Sequence, residues 1–176
     1  STTERMAKGL GAKREEALPV IEPVIRATEE VPATAMAISV GLDRTSVPME
    51  EPAGPDKPPV IRKVPRVREA PDPVEVNYRM AYVGTFSIVD ADGRSVFTTR
   101  YGLAGDVDPA LLLARLQADL EHALGQRPDL PVGLVQDGAP EMWNLMRGML
   151  DETPELDRWS EAIDRHHLSE RLAGAM

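Results

Sequence analysis

Apolar residues alternate with small or polar ones over residues 35–42: Met36, Ile38, Val40 and Leu42 fall on one side, and Ala37, Ser39 and Gly41 on the other. A period of two predicts a strand, and small side chains on its second side suit a central position packed on both faces. A longer strand is predicted over 78–89, where aromatic residues recur on one face. Asp90-Ala91-Asp92-Gly93 then reads as a hairpin turn with Gly93 available for positive φ, and 94–101, rich in Val, Phe and Thr, as the return strand. The period then lengthens. Leu112, Leu113, Leu116, Leu120 and Leu124 form a stripe at helical spacing, opened by Asp108-Pro109 and closed by Gly125. Residues 130–136 predict a short buried strand, 140–150 a helix with Trp143, Met146 and Leu150 inward, 159–163 a further strand, and Leu168 the start of a last helix.

Two stretches break the pattern. Ser1-Thr2-Thr3-Glu4 fits a capping box; a short helix to about residue 8 is expected to stop at Gly9 and Gly11, and a second, over 12–18, at Pro19 and Pro23. With little apolar surface, residues 1–34 read as a helical arm trailing from something upstream. Residues 48–73 hold eight prolines with Lys57, Arg62, Lys63, Arg66 and Arg68. Proline removes backbone donors and fixes φ, so an extended insert is expected rather than a core element. Its basic cluster reads either as a phosphate-contacting arm or as a solvated linker. The element order (strand, insert, hairpin, helix, strand, helix, strand, helix) implies a mixed sheet of α/β class with helices on its faces.

Composition narrows the chemistry. The 176 residues allow one domain with an arm, and the absence of cysteine excludes disulfides, thiolate zinc sites and cysteine nucleophiles. No apolar run approaches the roughly 18 residues of a membrane span, so a soluble intracellular protein is expected. A formal charge of −9 argues against a general nucleic-acid coat, but a metal-dependent nuclease also needs an acidic site.

No Gly-rich phosphate loop and no Ser nucleophile signature is present. The recurring feature is acidic: Asp43 closes the first apolar run, and Asp137 closes 130–136 before the helix opening at Pro140. If those strands are parallel neighbours, both carboxylates emerge at one sheet edge. Converging carboxylates suit hard divalent cations such as Mg²⁺ or Mn²⁺. The plainer reading is that each Asp caps a turn. Asp164-Arg165-His166-His167 offers a further ligand, general base or orienting pair, or a surface stretch.

Three blocks together resemble bacterial insertion-sequence DDE transposases of the Kra-type group, related to the Mutator-like elements. They are Leu42-Asp43-Arg44-Thr45-Ser46-Val47-Pro48-Met49, Val135-Gln136-Asp137-Gly138-Ala139-Pro140-Glu141-Met142-Trp143-Asn144-Leu145, and Ile163-Asp164-Arg165-His166-His167-Leu168-Ser169-Glu170-Arg171-Leu172. The resemblance covers most of 35–176 and implies a ribonuclease-H-like fold, a mixed five-stranded sheet with flanking helices. It implies Asp43 and Asp137 as the first two acids, Asp164 and His167 as the Asp-x-x-His element, and two Mg²⁺ or Mn²⁺ ions. It further implies DNA partners (transposon ends and target), a possible homo-oligomer, a nucleoid location, and an upstream helix-turn-helix region ending in residues 1–11. The family's Asp-Gly-Thr is Asp43-Arg44-Thr45 here. Its catalytic Glu lies well downstream and Glu170 is too near the His pair to replace it, so an incomplete catalytic core is expected, inactive alone. Two readings stand beside it: a non-catalytic DNA-binding or assembly module, and a stand-alone metal-dependent nuclease using Asp43, Asp137 and Asp164.

Overall fold

A computed structural model describes residues 2–52, 74–104, 108–137, 139–154, 156–163 and 173. The basic cluster Lys57, Arg62, Lys63, Arg66 and Arg68, the pair Asp164 and His167, and the helix expected from Leu168 lie outside the described residues.

The elements in order are α1 (Thr2–Thr28), β1 (Ala37–Pro52), β2 (Val74–Val89), β3 (Ser95–Ala104), α2 (Ala110–Gln126), β4 (Val132–Gln136), α3 (Pro140–Asp151) and β5 (Trp159–Ile163). They form one five-stranded sheet in the order β3-β2-β1-β4-β5. β1 runs antiparallel to β2 and parallel to β4, β2 antiparallel to β3, and β4 parallel to β5. The mixed sheet with flanking helices expected for a ribonuclease-H-like fold is what forms.

One face of the sheet carries the core. Ile38 and Val40 lie opposite Ile88 and Phe86 on one flank and Val132 and Leu134 on the other, and all six are buried. Period two on the strands meets period 3.6 on the helices: Leu112, Leu116, Leu120 and Leu124 of α2 and Met142, Trp143, Met146 and Leu150 of α3 close over that face. Burying each such side chain stabilises the fold by about 1.5–3 kcal/mol. Gly84, opposite Leu42, gives α2 room, since a Cβ there would meet the Leu116 side chain at 3.1 Å.

The hairpin forms as its sequence predicts. Gly93 has φ 75°, Asp90 N–H donates to the Arg94 carbonyl, and the Asp90 carboxylate accepts from the amides of Asp92 and Arg94. Asp108 Oδ1 accepts from Ala110 N–H at the start of α2.

Two expectations are corrected. α1 is one helix that runs through Gly9, Gly11, Pro19 and Pro23. Both prolines are exposed, so water can take the carbonyls they leave unbonded. Glu22 pairs with Arg115 and Arg26 with Asp119, which docks the end of the helix on α2.

The first strand does not end at Asp43, and the insert does not begin at residue 48. β1 pairs with β2 from Ala37↔Val89 to Pro52↔Val74, so Asp43 sits mid-strand opposite Val83. Ile38 N–H donates toward β4, to the Pro131 carbonyl. Pro48 and Pro52 have the same parity as Ile38, and among the described residues no strand pairs on that side beyond Val40. Their missing N–H groups therefore remove no ladder bond.

Candidate functional site

β1 and β4 are paired in parallel at Ile38↔Val132, Ser39↔Gly133 and Val40↔Leu134. Continued in step, that register sets Gly41 beside Val135, Leu42 beside Gln136 and Asp43 beside Asp137. Two features keep the strands close where the ladder between them ends. Gly41 has no Cβ, and one would lie 2.6 Å from the Val135 carbonyl oxygen. Gln136 is buried; in the amide orientation that satisfies both groups, its Nε2 donates to the Leu42 carbonyl (2.6 Å) and its Oε1 accepts the Leu42 N–H (3.2 Å). The side chain thus replaces the ladder bonds that end at Leu134.

Alternation places Gly41 and Asp43 on the face away from the core, with Val135 and Asp137. There the two acids line one cavity of about 290 Å³, together with Ser39, Val83 and Thr85. Asp43 is exposed and Asp137 half-buried. Each carboxylate holds one oxygen on a neighbouring backbone amide. Asp43 Oδ1 accepts from Arg44 N–H (2.7 Å) and Asp137 Oδ1 from Ala139 N–H (2.8 Å). The second bond is an Asx turn that leads the chain into Pro140 at the start of α3. Among the described residues, the other oxygen of each acid has no hydrogen-bond partner.

The Arg44 guanidinium pairs with Glu141 in the first turn of α3. Glu141 is a carboxylate close to the site that sequence reading did not single out. α3 is fixed against β5 by Arg147, whose guanidinium forms two bonds to Glu161 (2.7 and 2.8 Å) and lies over the Trp143 ring. The Arg147 hydrogen bonds hold the Glu161 carboxyl below the usual range. Among the described residues no three His, Asp or Glu side chains converge closely enough to enclose an ion. A cation held by Asp43 and Asp137 alone would complete its shell with water or substrate oxygen, as Mg²⁺ commonly does.

Gln136 and Gly41 were also missed as site-shaping residues. The available signal was a glutamine on the core side of a short apolar strand, one residue before the acid. A second buried polar group lies away from this cavity: Asp119 of α2 accepts from Arg26 Nε (2.7 Å) and Tyr101 OH (2.8 Å).

No family profile and no curated protein matches the chain. Among solved structures it is similar to RNase H1 from the halophilic archaeon Halobacterium salinarum, at 14% identity and a TM-score of 0.37, over 77% of this chain and 90% of that one. A likeness at that level says nothing of activity or substrate. Among the described residues no helix is long and apolar enough to cross a membrane.

Proposed function

We propose that this chain carries the metal-binding half of a nucleic-acid strand-cleaving site, in the catalytic core of a DDE transposase. The observation that carries it is that Asp43 and Asp137 line one cavity on two parallel neighbouring strands, five residues beyond the paired Ile38 and Val132, each with one oxygen that has no hydrogen-bond partner among the described residues. Oxygen donors so arranged fit Mg²⁺ or Mn²⁺. When bound, such ions activate an attacking oxygen and stabilise a leaving one in phosphodiester cleavage. The chain's own residues orient the donors: backbone amides fix one oxygen of each acid, Gln136 and Gly41 hold the strands in step, and Glu141 holds the Arg44 guanidinium. Asp164 and His167 are the proposed supporting pair. Lys57, Arg62, Lys63, Arg66 and Arg68, in the segment joining β1 to β2, are the proposed DNA-backbone contacts, and transposon ends and target DNA the proposed partners. The transposase reading rests on the three ordered sequence blocks.

Calorimetric titration with Mn²⁺ tests the metal site. The chain binds, and Asp43→Asn and Asp137→Asn each lose binding while unfolding at an unchanged urea midpoint. No binding by the parent chain, or equal binding by both variants, sinks the proposal. Metal-dependent nicking of supercoiled DNA by the 176-residue chain alone, abolished in Asp164→Asn, favours the stand-alone nuclease over a core that needs a further acid.

A further inference from the structure

α1 carries two faces. Leu18, Glu22, Arg26 and Glu29 turn inward, and Glu22 and Arg26 make the ion pairs that dock the helix on α2. On the opposite side Met6, Leu10, Lys13, Ala17, Val20 and Val24 follow one another at spacings of four and three, the a/d positions of a heptad. Among the described residues nothing covers that stripe: Met6, Leu10, Val20 and Val24 are each more than 60% exposed. Among the described residues the ion pairs to α2 lie in the C-terminal half of α1, and the first three turns, which hold Gly9 and Gly11, show no such anchor. An isolated helix of that length is marginal in water, and each glycine costs about 1 kcal/mol relative to alanine. A partner along the stripe would supply what the body does not.

We infer that α1 pairs with α1 of a second copy of this chain, as an antiparallel two-helix coiled coil. The single cation in the stripe selects both the occupant and its direction. In a parallel pair Lys13 would face Lys13. In an antiparallel pair centred near residue 15, position d of one helix meets position a of the other: Met6 meets Val24, Leu10 meets Val20, and Lys13 meets Ala17. Ala17 is small, and beside it at position g stands Glu16, within reach of the partner's ammonium group. Lys13 and Glu16 are both exposed, and among the described residues neither makes an ion pair. Two-fold symmetry repeats the pair, so every charge in the seam is matched. One charged residue in an otherwise apolar seam is a known means of fixing register and orientation. Pro19 falls at an outer position, clear of the seam.

Sedimentation velocity over a concentration series, with the full chain, reads the pairing. The parent is a dimer; Lys13→Glu or Glu16→Lys alone, which sets like charges together twice, raises its dissociation constant roughly five- to tenfold. The double variant Lys13→Glu/Glu16→Lys restores it. Because the chain has no cysteine, Leu10→Cys and Val20→Cys give a background-free check of direction. Under mild oxidation the two variants cross-link when mixed and neither cross-links alone. A monomeric parent, a double variant no better than the singles, or cross-linking of Leu10→Cys chains alone each overturns the antiparallel pair.

Discussion

Gly41 lies so close under the Val135 carbonyl that a Cβ would sit 2.6 Å from its oxygen. That oxygen belongs to the backbone of the neighbouring strand, so it cannot swing aside. Gly41→Ala must therefore push β1 away from β4, two residues before Asp43 and Asp137. The expected cost is about 1–3 kcal/mol, read as a lower urea midpoint, with weaker Mn²⁺ binding. Gly133→Ala is the control. Its Cβ would meet the Ile38 carbonyl at 3.8 Å, an ordinary contact, and its midpoint should hardly move. Equal losses in both variants would remove the argument from close approach.

Gln136 reads out separately. Its amide satisfies both backbone groups of Leu42 where the β1–β4 ladder has ended. Gln136→Leu keeps the apolar volume but leaves a buried N–H and C=O without partners, a loss of about 1–3 kcal/mol. Since Asp137 follows directly, Mn²⁺ affinity should fall together with stability. A variant with full stability and full affinity would show that water replaces the amide and that the bridge positions nothing.

These two residues mark where sequence reading stops. The Asp90–Gly93 turn, the Asp108-Pro109 helix start and the strand at Trp159–Ile163 were legible because local chemistry decides them: a glycine with φ 75°, an acid accepting from a helix amide, and a short half-apolar run. The parallel placement of β1 beside β4, whose register continued past Val40 and Leu134 would set Asp43 beside Asp137, was posed from the sequence only as a condition. The end of β1 was not legible at all. Pro48 and Pro52 read as breakers in isolation and are tolerated because β2 pairs on one side and, among the described residues, no strand pairs on the other. The unbroken α1 has the same origin, since its prolines face solvent while Glu22 and Arg26 hold it to α2. Partners far along the chain settled each of these points.

Among the described residues Asp119 is the buried charge. Only 7% exposed, it holds Arg26, itself 14% exposed, and the Tyr101 hydroxyl. Asp119→Ala leaves the guanidinium in place without its counter-ion, and breaking a buried pair this way costs about 3–5 kcal/mol. Tyr101→Phe removes one neutral donor and should cost about 1–2 kcal/mol. The ordering of the two midpoints is the check. If Tyr101→Phe is the worse variant, the Tyr101 hydroxyl rather than the Arg26–Asp119 ion pair dominates this corner.

The same tyrosine gives an alkaline signature. Burial, then the hydrogen bond to Asp119 and that residue's negative charge, push the Tyr101 hydroxyl well above its ordinary range. An unfolded tyrosine loses its proton near pH 10. Above that pH the folded chain keeps a proton that the unfolded chain has released, so the folded state binds more protons. Stability from this group is then complete below about pH 10 and declines as pH rises toward the raised folded value. Tyr101→Phe has no proton to lose and lacks that slope. Urea unfolding of both proteins from neutral pH to about pH 11.5 should show the parent's advantage shrinking once the unfolded tyrosine titrates. Every other titrating group is common to the two chains, so the difference isolates Tyr101. A gap that stays constant across that range would mean that the hydroxyl titrates alike in both states and that the bond to Asp119 does not persist in solution.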